Sequence, residues 1–158
     1  RHVEQQIYPQ VAALEKKLEQ NRNSLKYRNK LAVVYARYGL YDKALTHFQQ
    51  VLSRREYTPA LTNVGNIHFI RKEYQQALTF YNRALEKNAR SSSALIGIAR
   101  CNHEMENYGL VKKAYAQIQD IDPDLAERFA YLDLRGDDAA RAMDAAGLQN
   151  TVVWEEEE

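Results

Sequence analysis

The chain has 158 residues, 45% of them hydrophobic and 27% charged, which is enough to bury one core and compatible with a single domain. Its 22 Lys and Arg against 21 Asp and Glu leave a net charge of +1, so no overall field favours nucleic acid or an anionic membrane as partner. No apolar run approaches the ~18 residues that span a bilayer, and the single Cys101 excludes an internal disulfide framework. The expectation is a soluble chain without nucleic-acid binding or membrane insertion. It opens on Arg1 instead of Met, which leaves a removed signal, anchor or upstream domain open, and with it the compartment.

In chain order, residues 9–20 carry Val11, Leu14 and Leu18 on one face and predict a helix that starts at Pro9. Residues 1–24 then read as an N-terminal cap or the remnant of a preceding helix pair. From residue 25 the chain repeats itself, first after 33 and then after 34 residues: Leu31, Val64, Ile98; Ala32, Gly65, Ala99; Tyr35, His68, Asn102; Tyr41, Tyr74, Tyr108; Ala44, Ala77, Val111; Phe48, Tyr81, Tyr115. This defines units at 25–57, 58–91 and 92–125. Within each, apolar residues recur at three-and-four spacing, as in Leu31, Val34, Tyr35, Tyr38 and then Ala44, Leu45, Phe48, Val51, Leu52, which predicts two amphipathic helices. The small residues let paired helices approach, and the rings of Phe48, Tyr81 and Tyr115 wedge between successive units. Thr58-Pro59 and Asp122-Pro123 predict capped helix starts, Ser91 and Ser92 another, and Gly39 a left-handed stop. Residues 126–147 predict a shortened helix pair around Gly136 that hides the last apolar face, and residues 148–158 an acidic tail. The whole predicts about nine helices and no sheet.

Chemistry-bearing patterns fail on inspection. Asp120, Asp122 and Asp124 open like a calcium loop, but Leu125 stands where glycine is required and Tyr131 where the bidentate Glu should be. His2, His47, His68 and His103 lack metal-ligand spacing, and Cys101 reads as an inert buried thiol. No phosphate-cradling glycine loop, nucleophile elbow or activated Ser53 or Ser93 is indicated. Arg135-Gly136-Asp137 spells an adhesion tripeptide that a glycine stop followed by an Asp cap explains as a helix turn. The expectation is no enzyme, no metal and no cofactor.

These columns resemble the tetratricopeptide repeat family, whose pattern runs W-x-x-L-G-x-x-Y, then Ala, an aromatic and Pro. The middle unit matches best, with Val64-Gly65, Ala77, Tyr81 and Ala84. The first offers Leu31-Ala32, Tyr35, Ala44, Phe48 and Val51, and the third Ile98-Ala99, Tyr115, Ile118 and Pro123. The early Trp is missing, the Tyr is replaced by His68 and Asn102, and the closing Pro survives only as Pro123. The resemblance implies an all-α, right-handed superhelical solenoid of antiparallel helix pairs that binds a protein or peptide on its concave face. Carried over by column, that face holds Lys26, Asn29, Lys30, Val33, Ala36 and Arg37; Thr62, Asn63, Asn66, Phe69 and Ile70; and Ile96, Arg100, His103 and Glu104.

Asn63 and Asn66 suit the backbone of an extended peptide, since each amide both donates and accepts. Phe69 is either an apolar anchor or packing against the next unit. A carboxylate clamp of the kind that grips chaperone tails is excluded, because its columns hold Asn29, Val33, Asn63, Ser93 and Gly97, of which only Asn63 matches. Lys26, Lys30, Arg37 and Arg100 favour a partly acidic ligand. Residues 1–57 carry a charge of +6 and residues 124–158 carry −7, either as solvated surface or as an attraction between the two ends. Trp154, after Thr151, Val152 and Val153, predicts docking on the chain's own last helix pair or on the groove of a neighbouring molecule, with a linker as the alternative. The functional expectation is an adaptor or scaffold with a peptide-binding groove. The alternative is a structural segment of a larger scaffold whose surfaces dock neighbouring domains or self-associate.

Overall fold

The computed structural model describes residues 2–157. It contains α1 (His2–Gln20), α2 (Leu25–Arg37), α3 (Tyr41–Leu52), α4 (Thr58–Ile70), α5 (Tyr74–Lys87), α6 (Ser92–Glu104), α7 (Tyr108–Ile121), α8 (Pro123–Arg128), a 3-10 turn (Ala130–Asp133) and α9 (Gly136–Ala145). Among the described residues there are nine α-helices and no strand, as the periodicity predicts. Consecutive helices pack as hairpins (α2 with α3, α4 with α5, α6 with α7) and the hairpins stack through α3 on α4 and α5 on α6. None of these helices is long and apolar enough to cross a membrane.

The three inter-helix turns share one geometry. Gly39, Lys72 and Glu106 occupy equivalent positions, and all have positive φ (78°, 62° and 61°). The residue after each donates its N–H five residues back: Leu40 to Tyr35 O at 2.9 Å, Glu73 to His68 O at 2.9 Å, Asn107 to Asn102 O at 2.8 Å. This satisfies carbonyls that a helix end leaves orphaned. Only the first turn uses glycine, so the other two were invisible to a search for glycine stops.

Ring wedges set the distance between hairpins. Tyr81 is fully buried, and a methyl group added at Gly65 would lie 2.7 Å from its ring. A methyl group at Gly97 would overlap the same ring from the other side. The ring therefore fills the slot between α4 and α6 that two missing side chains create. Phe48 is equally buried, and Tyr115 donates its hydroxyl to Ala126 O at 2.7 Å, tying α7 to α8.

Four local expectations need correction. The first helix does not start at Pro9: it begins at His2 and passes through the proline, because Ile7 and Val11 are buried against Leu31 and Val34 and that burial outweighs one lost backbone bond. Thr58 is no cap. The N-cap is Tyr57, without a side-chain bond, and Pro59 lies inside the first turn. Of the two serines, Ser91 caps Ala94 N–H at 3.3 Å while Ser92 is already helical; Asp122 caps Leu125 N–H at 3.1 Å as predicted. Gly136 opens α9 at φ +55° instead of ending a helix, so Asp137 sits in the first turn and does not cap it. Between α8 and α9 the chain tightens into the 3-10 turn, which buries Tyr131 and Leu132 against the cap.

One packed ring on the outer surface makes stability depend on pH. Arg28 Nη1 donates to His47 Nδ1 at 3.3 Å, and the imidazole stacks on Tyr35 at 5.6 Å between ring centres. Burial and then the Arg28 charge hold the His47 pKa below its ordinary 6.5. The unfolded chain therefore takes up this proton first as pH falls, and the stability present above the unfolded pKa is lost on acidification through 6.5 toward the folded value. His47→Gln should shrink the fall in Tm between neutral and mildly acidic buffer. Identical pH profiles for the two proteins would contradict this.

Candidate functional site

After α9, Gly147 (φ +69°) turns the chain back on itself, and Leu148 is buried in the C-terminal core. Residues 149–157 then run without helix along the first helices of the three hairpins, past α6, then α4, then α2. The segment reads off the lining in order. Arg100 donates to Leu148 O at 2.8 Å and to Thr151 O, Asn66 Nδ2 to Val153 O at 2.8 Å, and Asn63 Nδ2 and Asn29 Nδ2 both to Glu155 O at 2.9 Å. Asn63 Oδ1 accepts from Glu155 N–H at 2.8 Å, so one amide side chain pairs with both polar groups of a single residue, as a neighbouring β-strand would.

Second partners orient these amides. Tyr81 donates its hydroxyl to Asn66 Oδ1 at 2.6 Å, which turns the Asn66 NH2 toward the groove. Asn63 Nδ2 also donates to Asn29 Oδ1 at 3.1 Å, which does the same for Asn29. Arg100 is 2% exposed: its Nε donates to Tyr131 Oη at 3.0 Å, and its guanidinium lies 4.5 Å from the Phe69 ring centre and 5.2 Å from that of Phe129. The planar fork thus holds the cap and the returning segment together.

Side chains of the segment find distinct surroundings. Trp154 packs on the apolar cluster of α2, α3 and α4, Val152 on that of Phe69 and Tyr81, and Val153 on the C-terminal core. A residual cavity of about 10 Å³, on the scale of a single water, remains among Asn66, Phe69, Ile96 and Val152. The carboxylates follow: Ser93 donates to Glu155 Oε1, Arg37 pairs with Glu156 at 3.4 Å, and Tyr57 donates to Glu157 Oε1. Burial, and then the Glu157 contact, holds the Tyr57 phenol well above its ordinary pKa, so it stays a donor.

Of the residues carried over by column, Asn29, Arg37, Asn63, Asn66 and Arg100 hydrogen-bond the segment, while Phe69 and Ile96 line the cavity beside it. Phe69 packs within its own hairpin, its ring 5.7 Å from that of Tyr74, and against the next one, 4.5 Å from the Arg100 guanidinium. Ile70 lines a separate cavity of about 300 Å³ with Gln149 and Asn150. Val33 and Ala36 are core residues, and Thr62 is buried with its hydroxyl unpaired among the described residues. His103 turns toward the cap, its Nε2 2.8 Å from Leu134 O and its ring edge-on to Tyr108 and Tyr131. Glu104 accepts from Tyr74. Lys26 and Lys30 are half-buried on α2. Ser93, Tyr57 and the hydroxyl roles of Tyr81 and Tyr131 were missed, because a serine or tyrosine in one column carries no periodic signal of its partner.

Burial pushes the Cys101 thiol up to about 12, which keeps it protonated at neutral pH. Among the described residues no group of three His, Cys, Asp or Glu is placed to hold a metal ion.

No family model matches the chain. Solved structures do. A crystal structure of MamA superposes with a TM-score of 0.65 at 21% identity, covering 89% of this chain and 78% of that one. The MamA RS-1 ArsTM double mutant gives 0.66 at 19%, covering 93% and 90%. A tetratricopeptide repeat protein from Parabacteroides merdae gives 0.64 at 16%, covering 92% and 64%. The fold is that of a tetratricopeptide-repeat solenoid. Among curated sequences, the CTR9 homolog of Arabidopsis thaliana is 28% identical over 106 residues, 64% of this chain, which spans about a tenth (10%) of that protein's length. In tetratricopeptide terms, the returning segment lies on the first helix of each repeat, the inner face of the solenoid.

Proposed function

We propose that the chain is a non-catalytic protein-interaction scaffold that takes an extended, partly acidic peptide along this inner face. The observation that carries the reading is the array of Asn29, Asn63, Asn66 and Arg100, four polar side chains at most 3% exposed whose hydrogen bonds go to the backbone of a traversing segment. Such pairing supplies partners to amides and carbonyls that a bound peptide would otherwise bury unsatisfied. The tetratricopeptide-type neighbours support an interaction scaffold in general terms.

Arg100 serves the structure as well as the segment, because its guanidinium is enclosed by Phe129 and Tyr131 of the cap. Among the described residues Asn63 and Asn66 make no hydrogen bond to the cap, and they are the appropriate pair to test. Peptides selected from a random displayed library on the intact chain should bind Asn63→Ala/Asn66→Ala at least about tenfold more weakly, roughly 1.4 kcal/mol. Selected peptides that bind both proteins equally would move the site off this face.

A docking segment of a larger scaffold is the second reading. It is favoured by the outer face of α1, where Tyr8 is 67% exposed beside an open cleft of about 430 Å³ lined by Ile7, Val11 and Tyr35.

A further inference from the structure

The backbone pairing in the groove is indifferent to sequence, so any selectivity has to come from the side chains of the occupant. Extended residues alternate their side chains, and the positions that matter are occupied here by Val152 and Trp154 on apolar clusters and by three consecutive glutamates at polar partners. The glutamates meet two hydroxyl donors, Ser93 on α6 and Tyr57 ahead of α4, and one cation, Arg37 on α2. A lysine in place of Glu156 would face the like charge of Arg37, and in the other two places it would exchange a charge-assisted hydroxyl-to-carboxylate bond for one to a neutral hydroxyl oxygen. The Arg37–Glu156 pair is 3.4 Å long and its Arg side chain is 52% exposed, which marks this end as weakly held.

We propose that the groove selects segments in which apolar residues and an aromatic one are followed by acidic residues, and that residues 151–157 are an internal copy of this ligand that an outside segment of the same pattern displaces. The proposal rests on the groove being a peptide site. A tethered occupant acts at an effective concentration on the order of millimolar, so it lowers the apparent affinity for every competitor without blocking the site for good.

The test uses the full chain and two fluorescein-labelled peptides, one with the sequence of residues 151–158 and one with its four glutamates changed to lysine, followed by anisotropy. Trp154→Ala/Glu155→Lys releases the internal copy. The acidic probe should bind this variant at least tenfold more tightly than it binds the unaltered chain, and the lysine probe at least tenfold more weakly than the acidic one. Equal affinity of the acidic probe for both chains overturns the displacement. Equal binding of the two probes, both lost on adding Asn63→Ala/Asn66→Ala, overturns the acidic selectivity and leaves the groove standing as a peptide site. Binding of neither probe to the released chain overturns the selectivity and the groove together. If the unaltered chain sediments as a dimer at the assay concentration and the released chain as a monomer, the segment is exchanged between copies, and the intramolecular occupant is overturned. Should the first variant lose its helical spectrum, Glu156→Lys/Glu157→Lys, whose side chains are half-buried and exposed, takes its place with the same outcomes.

Discussion

Replacing Gly97 with alanine is expected to destabilise the chain by about 2 kcal/mol, a fall in Tm of roughly 4–8 °C for a domain of this size. The added methyl group would overlap three atoms of the Tyr81 ring, and the ring cannot retreat because the Gly65 backbone closes the opposite side of the slot. Overpacking of a close-fitted core costs about 1–3 kcal/mol, while alanine in a helix interior returns up to about 1 kcal/mol over glycine. The overlap is deep and the ring is fully buried, so the packing cost wins. A displaced ring also carries its hydroxyl away from Asn66 Oδ1, so the amide that faces Val153 O loses its orientation. Thermal unfolding of Gly97→Ala checks the first effect, and the emission maximum of Trp154, the single tryptophan, checks the second. An unaltered Tm would mean that the slot is wider than described.

Arg100→Met should cost more, about 3 kcal/mol, and should release the returning segment at the same time. The variant leaves Leu148 O and Thr151 O without their charged donor, at about 1.5–3 kcal/mol for each such bond, and removes a desolvated cation from between two rings, at about 2 kcal/mol. Against these stands the relief of several kcal/mol of desolvation for a buried guanidinium, partly recovered by a methionine of similar length. The net loss should therefore fall well short of the sum. Arg100→Lys should behave nearly as badly, since an ammonium cannot span Tyr131, Leu148 and Thr151 in one plane. Asn63→Ala/Asn66→Ala provides the contrast: it should redden Trp154 emission as Arg100→Met does, while leaving the cap intact. A variant at Arg100 with normal Tm and blue-shifted Trp154 would show that the fork is dispensable.

Sequence by itself determined the helix pairs, their period and the small-residue columns, because each helix must bury one face and a face repeats every 3.6 residues. The resemblance to the tetratricopeptide family, carried over by column, implied that Asn63, Asn66 and Arg100 share one lining. The charge contrast between residues 1–57 and 124–158, together with Trp154, pointed to a docked tail, but on the last helix pair or a neighbouring molecule, whereas Trp154 packs on the cluster of α2, α3 and α4 of its own chain. Only the tertiary structure decided that residues 148–157 lie in the groove. An extended segment has no period to read, and its main partners are backbone groups that every residue carries. The same holds for Arg100, whose burial depends on carbonyls 48 and 51 residues away. Pro9 within α1 is the converse case, in which local preference was legible and tertiary burial overrode it; at the exposed, left-handed Lys72 and Glu106 the backbone bonds that close the turn do so instead.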